Sequence, residues 1–310
     1  MSTALAAAVE LPFKAPYDWP RVLRFFAGRA TPGVEAIEDG VYRRAIEWGG
    51  ASGTLSVCRH ARKMRLVVAV VGEASRHIDA LALHTALMFD VSADPTAIGT
   101  HLARDPWLAP LVEAAPGLRV PGAWSAFELV VRAIVGQQVS VKAATTLIGR
   151  LVARAGARID DHPHPGTAWR FPTPAALAGA DLAQVGMPGK RVAALQAVAQ
   201  AVASGRVPID RVNTGTTGAA DLADMRAALL ALPGIGPWTV EYIAMRAWRD
   251  ADAWPATDLV LMQSIASRDS ALARPAAQRA RAEAWRPWRA YAAMHLWNEI
   301  ADRATGARGG

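Results

Sequence analysis

Hydrophobic and polar residues alternate in short runs over the first third of the chain. A period of two is typical of β-strands with one buried face. The runs with this period are Val41–Trp48, Thr54–His60 and Met64–Val71. The turn-forming segment 49–53 separates the first two runs. Three strands in succession with short connections predict an antiparallel meander.

Helical spacing surrounds these strands. Asp18 precedes apolar residues from Val22 to Phe26 that are spaced three and four apart, and we expect it to cap that helix. The same spacing predicts helices at Ile78–Phe89 and Pro95–Ala103. The N-terminal part of the chain is therefore predicted to mix helices and strands.

From residue 123 onward, apolar residues fall almost everywhere at helical spacing. The Pro- and Gly-rich segment 115–122 interrupts regular structure just before this region. We therefore expect an α+β protein with an N-terminal α/β domain at residues 10–117 and an all-α body at residues 118–305. The helices predicted for the body are Ala123–Val135, Ser140–Arg154, Pro174–Ala178, Arg191–Ser204, Asp221–Ala231, Pro237–Trp248, Asp258–Ile265, Ala276–Trp285 and Trp288–Ile300.

The positive charge lies in one part of the chain. The formal net charge is +7, yet residues 1–113 carry 12 basic and 12 acidic side chains. The whole excess falls in residues 114–310, with 22 basic and 15 acidic side chains. A basic helical body indicates a polyanionic partner, although many basic proteins bind no nucleic acid.

Cysteine content and hydropathy exclude several classes of protein. Cys58 is the single cysteine, so the chain cannot build a disulfide framework, a cysteine-rich zinc site or an iron–sulfur cluster by itself. No apolar run reaches the roughly 18 residues that span a bilayer. The N-terminal segment lacks the basic residues of a secretory signal. We expect a cytoplasmic protein without a membrane partner.

The segment from Leu229 to Tyr242 carries the strongest signal for binding. A predicted helix ends there, Leu232, Pro233, Gly234, Ile235 and Gly236 form a tight turn, and a second helix begins at Pro237. The two glycines leave main-chain amides uncovered, which together with a helix N-terminus suits a DNA phosphate. An ordinary connection between two helices is the alternative. The Leu-Pro-Gly-Ile-Gly sequence is similar to helix–hairpin–helix motifs, which bind the DNA backbone without reading its sequence.

Asp258 follows Trp238 at a distance of 20 residues, in the segment Trp254-Pro255-Ala256-Thr257-Asp258. Taken alone, an Asp before an apolar helix is most often an N-cap. A hairpin followed at this distance by Pro-x-x-Asp changes that interpretation. The chain resembles the helix–hairpin–helix–GPD DNA glycosylase superfamily, in which a Gly- and Pro-rich loop and a catalytic Asp follow the hairpin. Capping and catalysis are compatible, since a cap also fixes the carboxylate.

Further segments are similar to one branch, the AlkA-type 3-methyladenine DNA glycosylase II family. They lie at Pro16–Trp19, Ala133–Val141, Phe171–Pro174, Leu182–Arg191, Trp285–Tyr291 and His295–Trp297. The resemblance covers about residues 10–300. It implies a TATA-binding-protein-like α/β domain and a two-lobed helical body with a cleft, the hairpin at about 222–248 and a catalytic loop at about 249–262.

The resemblance also implies a reaction. A monomer would flip an alkylated base, such as 3-methyladenine or 7-methylguanine, out of double-stranded DNA and hydrolyse its N-glycosidic bond. This chemistry requires no cofactor and no nucleotide. An alkylated purine already carries positive charge and leaves as a neutral base, so one carboxylate, Asp258, suffices to stabilise the oxocarbenium-like sugar or activate water. The protein would work in the cytoplasm of a bacterium, associated with the nucleoid during repair.

A pocket for cationic bases should be aromatic, because stacking and cation–π attraction favour a positively charged ring. By resemblance, Trp238, Tyr242 and Trp297 line this pocket. Trp238 and Tyr242 are four residues apart and share a helix face. Core packing is the alternative for any single Trp in this region, and we assign Trp285 and Trp288 to it.

Gln137 and Gln138 lie in a turn before Ser140, a candidate N-cap. In the related family a side chain of this turn fills the gap left by the flipped base. Gln138 stands where well-known members carry an apolar residue, so it could instead hydrogen-bond the orphaned base. A simple capping or turn role for both glutamines is the alternative.

Two further expectations concern the hairpin. Superfamily members that cut the strand through a Schiff base have a lysine where this chain has Trp238, and the four lysines Lys14, Lys63, Lys142 and Lys190 all lie outside the hairpin. We therefore expect monofunctional hydrolysis. The resemblance also implies a structural Na⁺ or K⁺ ion, bound by the main-chain carbonyls of Leu230, Leu232 and Ile235.

Three other functions stay open at this stage. A non-catalytic helix–hairpin–helix module that recognises DNA damage or structure would have no need of Asp258. A glycosylase for mismatched, oxidised or deaminated bases is disfavoured by the aromatic residues and the missing lysine. A helical scaffold for protein partners is disfavoured by the one-sided positive charge.

Overall fold

The N-terminal part of the protein is built on one five-stranded antiparallel sheet. The computed structural model describes residues 5–159, 164–210 and 219–306. The sheet order is β1-β5-β4-β3-β2, and the strands are β1 (Ala6–Pro12), β2 (Glu35–Glu38), β3 (Val41–Trp48), β4 (Ala51–Arg59) and β5 (Arg65–Val71). The three strands predicted from the sequence form its centre, while both edge strands, β1 and β2, were missed.

The edge strands lack the signal that reveals the central ones. β1 begins with three alanines and β2 has only four residues, so neither shows a clear alternation of large apolar and polar side chains. The prediction that residues 49–53 form the turn was also wrong for residues 51–53. β4 already begins at Ala51, and Gly53 pairs with Ile46. A Cβ atom at Gly53 would lie 2.7 Å from the carbonyl oxygen of Val71, so this strand position requires glycine.

Helices α1 (Trp19–Ala27) and α2 (Ile78–Met88) pack with the sheet. Asp18 caps α1 as predicted, since its carboxylate accepts a hydrogen bond from the Arg21 amide at 3.1 Å. The alternation in β4 and β5 places one face of each strand in this core. The buried side chains of that face are Leu55, Val57, Leu66, Val68 and Val70. Packing of this face against the helices stabilises the domain.

The rest of the described chain is almost entirely helical, which confirms the α+β class. Its helices are α3 (Pro95–Leu102), α4 (Ala109–Ala114), α5 (Ala126–Val135), α6 (Val141–Ala155), α7 (Pro174–Gly179), α8 (Gly189–Ala203), α9 (Ala219–Leu230), α10 (Pro237–Arg246), α11 (Leu259–Arg268), α12 (Pro275–Ala282) and α13 (Arg289–Gly306). Most bounds agree with the predicted ones to within a few residues. α4 was missed. Ser140 caps α6 through a hydrogen bond to its side-chain oxygen from the Ala143 amide at 3.2 Å.

The large core of the helical body also includes helices that precede the predicted domain boundary. Ile98 and Leu102 of α3, together with Leu108, belong to the same buried cluster as α5, α8, α10 and α13. The boundary at residue 117 stays a prediction, and the packing is continuous across it. No helix within the described ranges is long and apolar enough to cross a membrane.

A buried ion pair connects the sheet to the helical body. Arg44 on β3 is 2% exposed and donates to the Glu128 carboxylate on α5 at 2.9 Å. Its guanidinium carbon lies 4.6 Å from the ring centroid of Trp124. Its Nη1 atom lies 3.7 Å from Oε1 of Glu35 on β2. This contact holds the N-terminal domain, and therefore α1, in a defined position against the body.

Candidate active site

The hairpin between α9 and α10 contains two glycines with different roles. Gly234 has a φ of +79°, and a Cβ atom there would lie 2.6 Å from the Cβ of Ala194. Gly236 is extended (φ −105°, ψ 172°), and a Cβ atom there would meet no heavy atom within 4 Å. The fold therefore requires glycine at 234 but not at 236. The uncovered main chain at Gly236 lies directly before Pro237, the first residue of α10.

Ion pairs hold the hairpin against the loop that leads to Asp258. Arg226 of α9 donates to Glu241 of α10 at 2.8 Å and to Asp250 at 2.5 Å. The Glu241 carboxylate also accepts from the Trp254 amide at 3.1 Å. The Glu241 carboxylate thus connects both hairpin helices to the segment Trp254–Asp258 and holds that segment beside the hairpin.

Asp258 is the N-cap of α11, and the structure confirms this capping role. Its Oδ1 atom accepts hydrogen bonds from the amides of Val260 and Leu261, both at 3.0 Å. The helix N-terminus adds a partial positive charge that stabilises a carboxylate there. Asp258 is half-buried.

Two tryptophans donate to the same carboxylate. The indole Nε1 of Trp238 lies 2.9 Å from Oδ2, and the indole Nε1 of Trp297 lies 3.0 Å from Oδ1. Trp238 comes from α10 and Trp297 from α13, so three helices converge on Asp258. Together with the two backbone amides, four N–H donors hold the carboxylate in one orientation.

The three predicted aromatic side chains are in contact with one another, and we refer to Trp238, Tyr242 and Trp297 as the aromatic group. The rings of Trp238 and Tyr242 are stacked, with centroids 5.1 Å apart and planes 9° apart. Tyr242 meets Trp297 edge-on, with centroids 6.2 Å apart and planes 70° apart. Residues separated by up to 59 positions in the chain therefore form one aromatic surface beside Asp258. Trp285, by contrast, is fully buried in the core, as expected for a packing role.

A buried cation lies next to the aromatic group. Arg246 is 4% exposed and donates to the Tyr242 hydroxyl at 2.8 Å and to the carbonyl oxygens of Pro121 and Gly122 at 2.8 and 2.7 Å. Burial alone would raise the pKa of Tyr242. The guanidinium groups of Arg246, Arg29 and Arg132 outweigh that effect and lower the pKa of Tyr242 below its ordinary value.

Phe25 of the N-terminal domain also reaches this region, although it was not among the predicted site residues. The guanidinium of Arg246 lies 4.7 Å from its ring centroid and 5.3 Å from that of Tyr242. Phe25 and Trp297 line one cavity together. The pair Phe25–Phe26 carried a signal, because adjacent side chains on a helix point about 100° apart, so one of the two large rings was placed to meet a different partner. Phe26 packs in the sheet core and Phe25 packs against the body.

The turn at Gln137 and Gln138 lies beside the hairpin. Gln138 is exposed, with a φ of +58° in the left-handed region. Gln137 donates from its side-chain amide to the carbonyl oxygen of Gly234 at 2.9 Å. The structure therefore brings together two segments that were predicted separately as parts of the site.

Two family models match the chain. A model described as the AlkA N-terminal domain matches residues 8–125, and one described as the HhH-GPD superfamily base excision DNA repair protein matches residues 131–290. The second match contains the hairpin, Asp258 and two members of the aromatic group, Trp238 and Tyr242. Trp297 lies beyond its last matched residue.

Several curated proteins and solved structures are similar to the chain. DNA-3-methyladenine glycosylase 2 of Escherichia coli is 36% identical over 294 residues, covering 93% of this chain and 95% of that protein. A probable bifunctional transcriptional activator/DNA repair enzyme AlkA of Mycobacterium tuberculosis is 35% identical over 302 residues. That alignment covers 96% of this chain, which spans 58% of the length of the mycobacterial protein.

Among solved structures, a 3-methyladenine DNA-glycosylase of Archaeoglobus fulgidus superposes with a TM-score of 0.79. The superposition covers 95% of this chain and 98% of that one, at 21% sequence identity. This likeness shows that the two proteins share a fold.

Proposed function

The chain belongs to the HhH-GPD superfamily of base excision DNA repair proteins, and we propose that it is a monofunctional DNA glycosylase for alkylated bases. Its substrates are 3-methyladenine- and 7-methylguanine-type lesions in double-stranded DNA. The observation that carries the proposal is the Asp258 carboxylate, which accepts hydrogen bonds from the indoles of both Trp238 and Trp297. A carboxylate needed only as a helix cap has no use for two further donors from an aromatic surface.

The chemistry follows from this arrangement. Breaking the N-glycosidic bond leaves positive charge on the sugar, and an oriented carboxylate stabilises that charge. Water adds to C1′ and loses one proton, while the base leaves with the electron pair of the bond. An alkylated purine is already cationic, so it departs as a neutral molecule and needs no second carboxyl group as an acid. Asp258 thus stabilises the oxocarbenium-like transition state and accepts the proton of the attacking water.

The aromatic group supplies the receptor for the flipped base. A ring cannot reach Asp258 while it is stacked in the duplex, so the nucleotide rotates out. Trp238, Tyr242 and Trp297 offer stacking faces beside the carboxylate, and stacking with cation–π attraction favours a positively charged base.

The hairpin binds the DNA backbone. The extended main chain at Gly236 and the N-terminus of α10 present amides to a phosphate. The turn of Gln137 and Gln138 lies beside the hairpin and carries an exposed side chain, Gln138, that can enter the gap left by the flipped base. The excess of 22 basic over 15 acidic side chains in residues 114–310 attracts the duplex.

The hairpin also decides between hydrolysis and strand cleavage. A Schiff-base mechanism needs an amine at the position that Trp238 occupies. Within the described residues of the helical body, Lys142 lies near the start of α6 and Lys190 near the start of α8, and neither belongs to the hairpin. The product is therefore an abasic strand without a nick.

A monovalent cation under the hairpin would be bound by main-chain oxygens of Leu230, Leu232 and Ile235. α9 ends at Leu230, so this carbonyl is among the last four of the helix and has no partner inside it. The Leu232 carbonyl accepts from the Ile235 amide at 3.3 Å, a long contact. No group of three or more His, Cys, Asp or Glu side chains in the described residues is placed to bind a metal. The cation would stabilise the hairpin and take no part in the reaction.

Incubation of the purified protein with methylated duplex DNA tests this function. We expect free 3-methyladenine and 7-methylguanine in the supernatant, identified by mass spectrometry, and a strand that breaks only after alkali treatment. Borohydride should trap no covalent adduct between protein and DNA. Strand nicking that co-purifies with the protein, or a trapped adduct, would contradict the monofunctional mechanism. Absence of any released base would contradict the glycosylase itself.

A further inference from the structure

Arg246, the last residue of α10, is buried where the helical body meets the Pro- and Gly-rich segment 115–122, which we refer to as the linker. Each nitrogen of its guanidinium donates a hydrogen bond. Two of the acceptors are the main-chain carbonyls of Pro121 and Gly122, at 2.8 and 2.7 Å, and the third is the Tyr242 hydroxyl at 2.8 Å. One side chain therefore connects the linker to a member of the aromatic group.

The charge of Arg246 has no acidic partner. Among the residues that the structure describes, no carboxylate lies within ion-pair distance of its guanidinium. Burial lowers the pKa of Arg246, and the nearby cations Arg29 and Arg132 act in the same direction. A buried cation without a counter-ion is costly. A charge retained at this position indicates a role that an apolar side chain of the same volume would not fill.

The contact with Tyr242 continues toward the Asp258 carboxylate. The rings of Tyr242 and Trp238 are stacked, with centroids 5.1 Å apart and planes 9° apart. The Trp238 indole then donates to Oδ2 of Asp258 at 2.9 Å. Side chains of a reactive site keep their geometry when further hydrogen bonds fix their rotamers. The hydroxyl end of Tyr242 is fixed in this way by Arg246, so the position of the indole depends on Arg246 through one intervening ring.

The linker itself is held in place on its other side. The Gly122 amide donates to the Met88 carbonyl at 2.8 Å, and a Cβ atom at position 122 would lie 2.9 Å from the Met88 Cα. A second arginine, Arg249, donates to the Val120 carbonyl at 2.8 Å and pairs with Asp90 at 2.5 Å. Its contacts within the described part of the chain include no member of the aromatic group. Both arginines thus hold the linker, but one of them alone contacts Tyr242.

We propose that Arg246 is a positioning residue that holds the Tyr242 ring in its stack and thereby orients the Trp238 indole at the Asp258 carboxylate. The proposal rests on the glycosylase function proposed above and adds a buried residue that acts through Tyr242. Because the guanidinium is anchored on linker carbonyls, the packing between the N-terminal domain and the body becomes part of the active site.

Single-turnover release of 7-methylguanine from duplex DNA measures the effect. Arg246→Met removes the cation with all three of its hydrogen bonds, and Tyr242→Phe removes the hydroxyl while the linker contacts of Arg246 remain. A hydrogen bond to a charged group changes an equilibrium by about tenfold to a hundredfold. We expect Arg246→Met to lower the rate by a factor in this range. DNA affinity should be retained, because Arg246 is 4% exposed and acts on the reaction step.

The double variant shows whether the two residues act as a unit. If Arg246 works through the Tyr242 hydroxyl, the double variant should be no slower than Arg246→Met alone. Losses that multiply would overturn the proposal, since the two side chains would then act separately. If Arg246→Met does not fold, Tyr242→Phe decides by itself. A wild-type rate in Tyr242→Phe would show that the contact has no role in positioning.

Arg249→Met is the matched control, because it removes a linker contact of the same kind and leaves Tyr242 untouched. It should release 7-methylguanine at a rate close to that of the wild type. An equal loss of rate in folded Arg249→Met and Arg246→Met would assign the effect to a loosened linker and overturn the proposal.

Alkaline titration supplies a readout that needs no DNA. Burial raises the pKa of three of the four tyrosines above the ordinary value of 10, namely Tyr17, Tyr42 and Tyr291. In Tyr242 the surrounding guanidinium groups outweigh burial and lower the pKa below 10. Tyrosinate absorbance that develops below pH 10 therefore reports Tyr242, and Tyr242→Phe should abolish it.

Arg246→Met should move this titration to higher pH, since a phenolate without its neighbouring cation is less stable. Arg249→Met should leave it in place. A titration unchanged in folded Arg246→Met would mean that Arg246 does not hold the hydroxyl, and would overturn the proposal. If the wild type released no base from duplex DNA, the glycosylase function would fail, while the titration would still decide whether Arg246 holds Tyr242.

Discussion

The side-chain amide of Gln137 donates a 2.9 Å hydrogen bond to the main-chain carbonyl of Gly234, 97 residues further along the chain. This contact connects the turn before α6 to the hairpin between α9 and α10. In the proposed function the first segment fills the gap in the duplex and the second binds the backbone. Their relative position then decides whether both can contact the same DNA at once.

We predict that Gln137→Ala weakens damaged-DNA binding and base release together, by about twofold to tenfold. A neutral hydrogen bond contributes roughly 0.5–1.5 kcal/mol, and its loss here lets the two segments shift relative to each other. The midpoint of urea unfolding should change little, because Gln137 lies near the surface. Gel-shift titration and single-turnover rates measure the effect.

Gln137→Glu is the matched control for that prediction, because it keeps the side-chain length and removes the donor. It should behave like Gln137→Ala or worse, since a carboxylate faces the Gly234 carbonyl. If Gln137→Glu kept wild-type affinity, the hydrogen bond would have no part in placing the hairpin.

The two hairpin glycines should respond differently to alanine. Gly234→Ala should destabilise the protein, because its φ of +79° is strained for an L-residue and the new Cβ would lie 2.6 Å from the Ala194 Cβ. The left-handed conformation alone costs about 1–2 kcal/mol. Gly236→Ala should leave the urea midpoint unchanged, since a Cβ there meets nothing within 4 Å.

DNA binding gives the complementary result. Gly236→Val should weaken binding in a gel-shift salt series while the fold is retained, because the side chain covers amides that would contact phosphate. Unchanged affinity in a folded Gly236→Val protein would place the DNA contact elsewhere.

The Trp297→Leu variant should lose more activity on cationic bases than on neutral ones. The substitution keeps apolar volume but removes the ring, and a cation over an indole gains roughly 0.5–2 kcal/mol relative to a neutral ring. Release of 3-methyladenine and 7-methylguanine should therefore fall more than release of hypoxanthine, by a further factor of about 2 to 30. Equal losses of release rate on all three bases would mean that Trp297 only lines the pocket or only donates to Asp258.

Stability should fall on mild acidification because of two buried histidines. Burial lowers the pKa of both His84 and His295 from 6.5 to about 4. Well above pH 6.5 neither the folded nor the unfolded protein protonates them, so they do not affect stability there. Between pH 6.5 and 4 the unfolded chain takes up protons that the folded chain does not, and the free energy of unfolding decreases. The total loss is on the order of 3 kcal/mol for each histidine.

Urea unfolding at pH 7.5, 5.5 and 4.5 measures this dependence. His84→Phe and His295→Phe should each flatten the curve, and the double variant should flatten it further. Phe suits position 84, where the imidazole packs edge-on against Trp48 and Trp124 at 5.1 and 4.5 Å. An unchanged slope in the double variant would assign the acid sensitivity to other groups.

The limits of the sequence-based predictions have physical causes. Strands with large alternating side chains, such as β4 and β5, were predictable, whereas β1 and β2 are edge strands whose pairing depends on neighbours. The capping role of Asp258 follows from local sequence. The convergence of Trp238 and Trp297 on it, from 20 and 39 residues away, depends on how α10 and α13 pack and leaves no local pattern.

Contacts between the N-terminal domain and the helical body were even harder to predict from the sequence. Phe25 belongs to a helix of the N-terminal domain, and only the position of α1 against the body brings it to Arg246. Such relations are set by tertiary packing and cannot be derived from periodicity.

The central claim is that Asp258 is the catalytic carboxylate, and Asp258→Asn tests it most directly. Asparagine is also a good N-cap, so α11 should persist. Asp269→Asn is the matched control, since Asp269 caps the short helical turn Ser270–Leu272 outside the site by accepting from the Ala271 amide at 2.9 Å. The measurement is the single-turnover release of 7-methylguanine from duplex DNA, with thermal unfolding as a check of folding. We predict that Asp258→Asn lowers the rate by about a hundredfold to ten-thousandfold and binds DNA at least as tightly as the wild type, while Asp269→Asn keeps the wild-type rate. Release by a folded Asp258→Asn protein at a rate close to that of the wild type would contradict the account and reduce Asp258 to a helix cap.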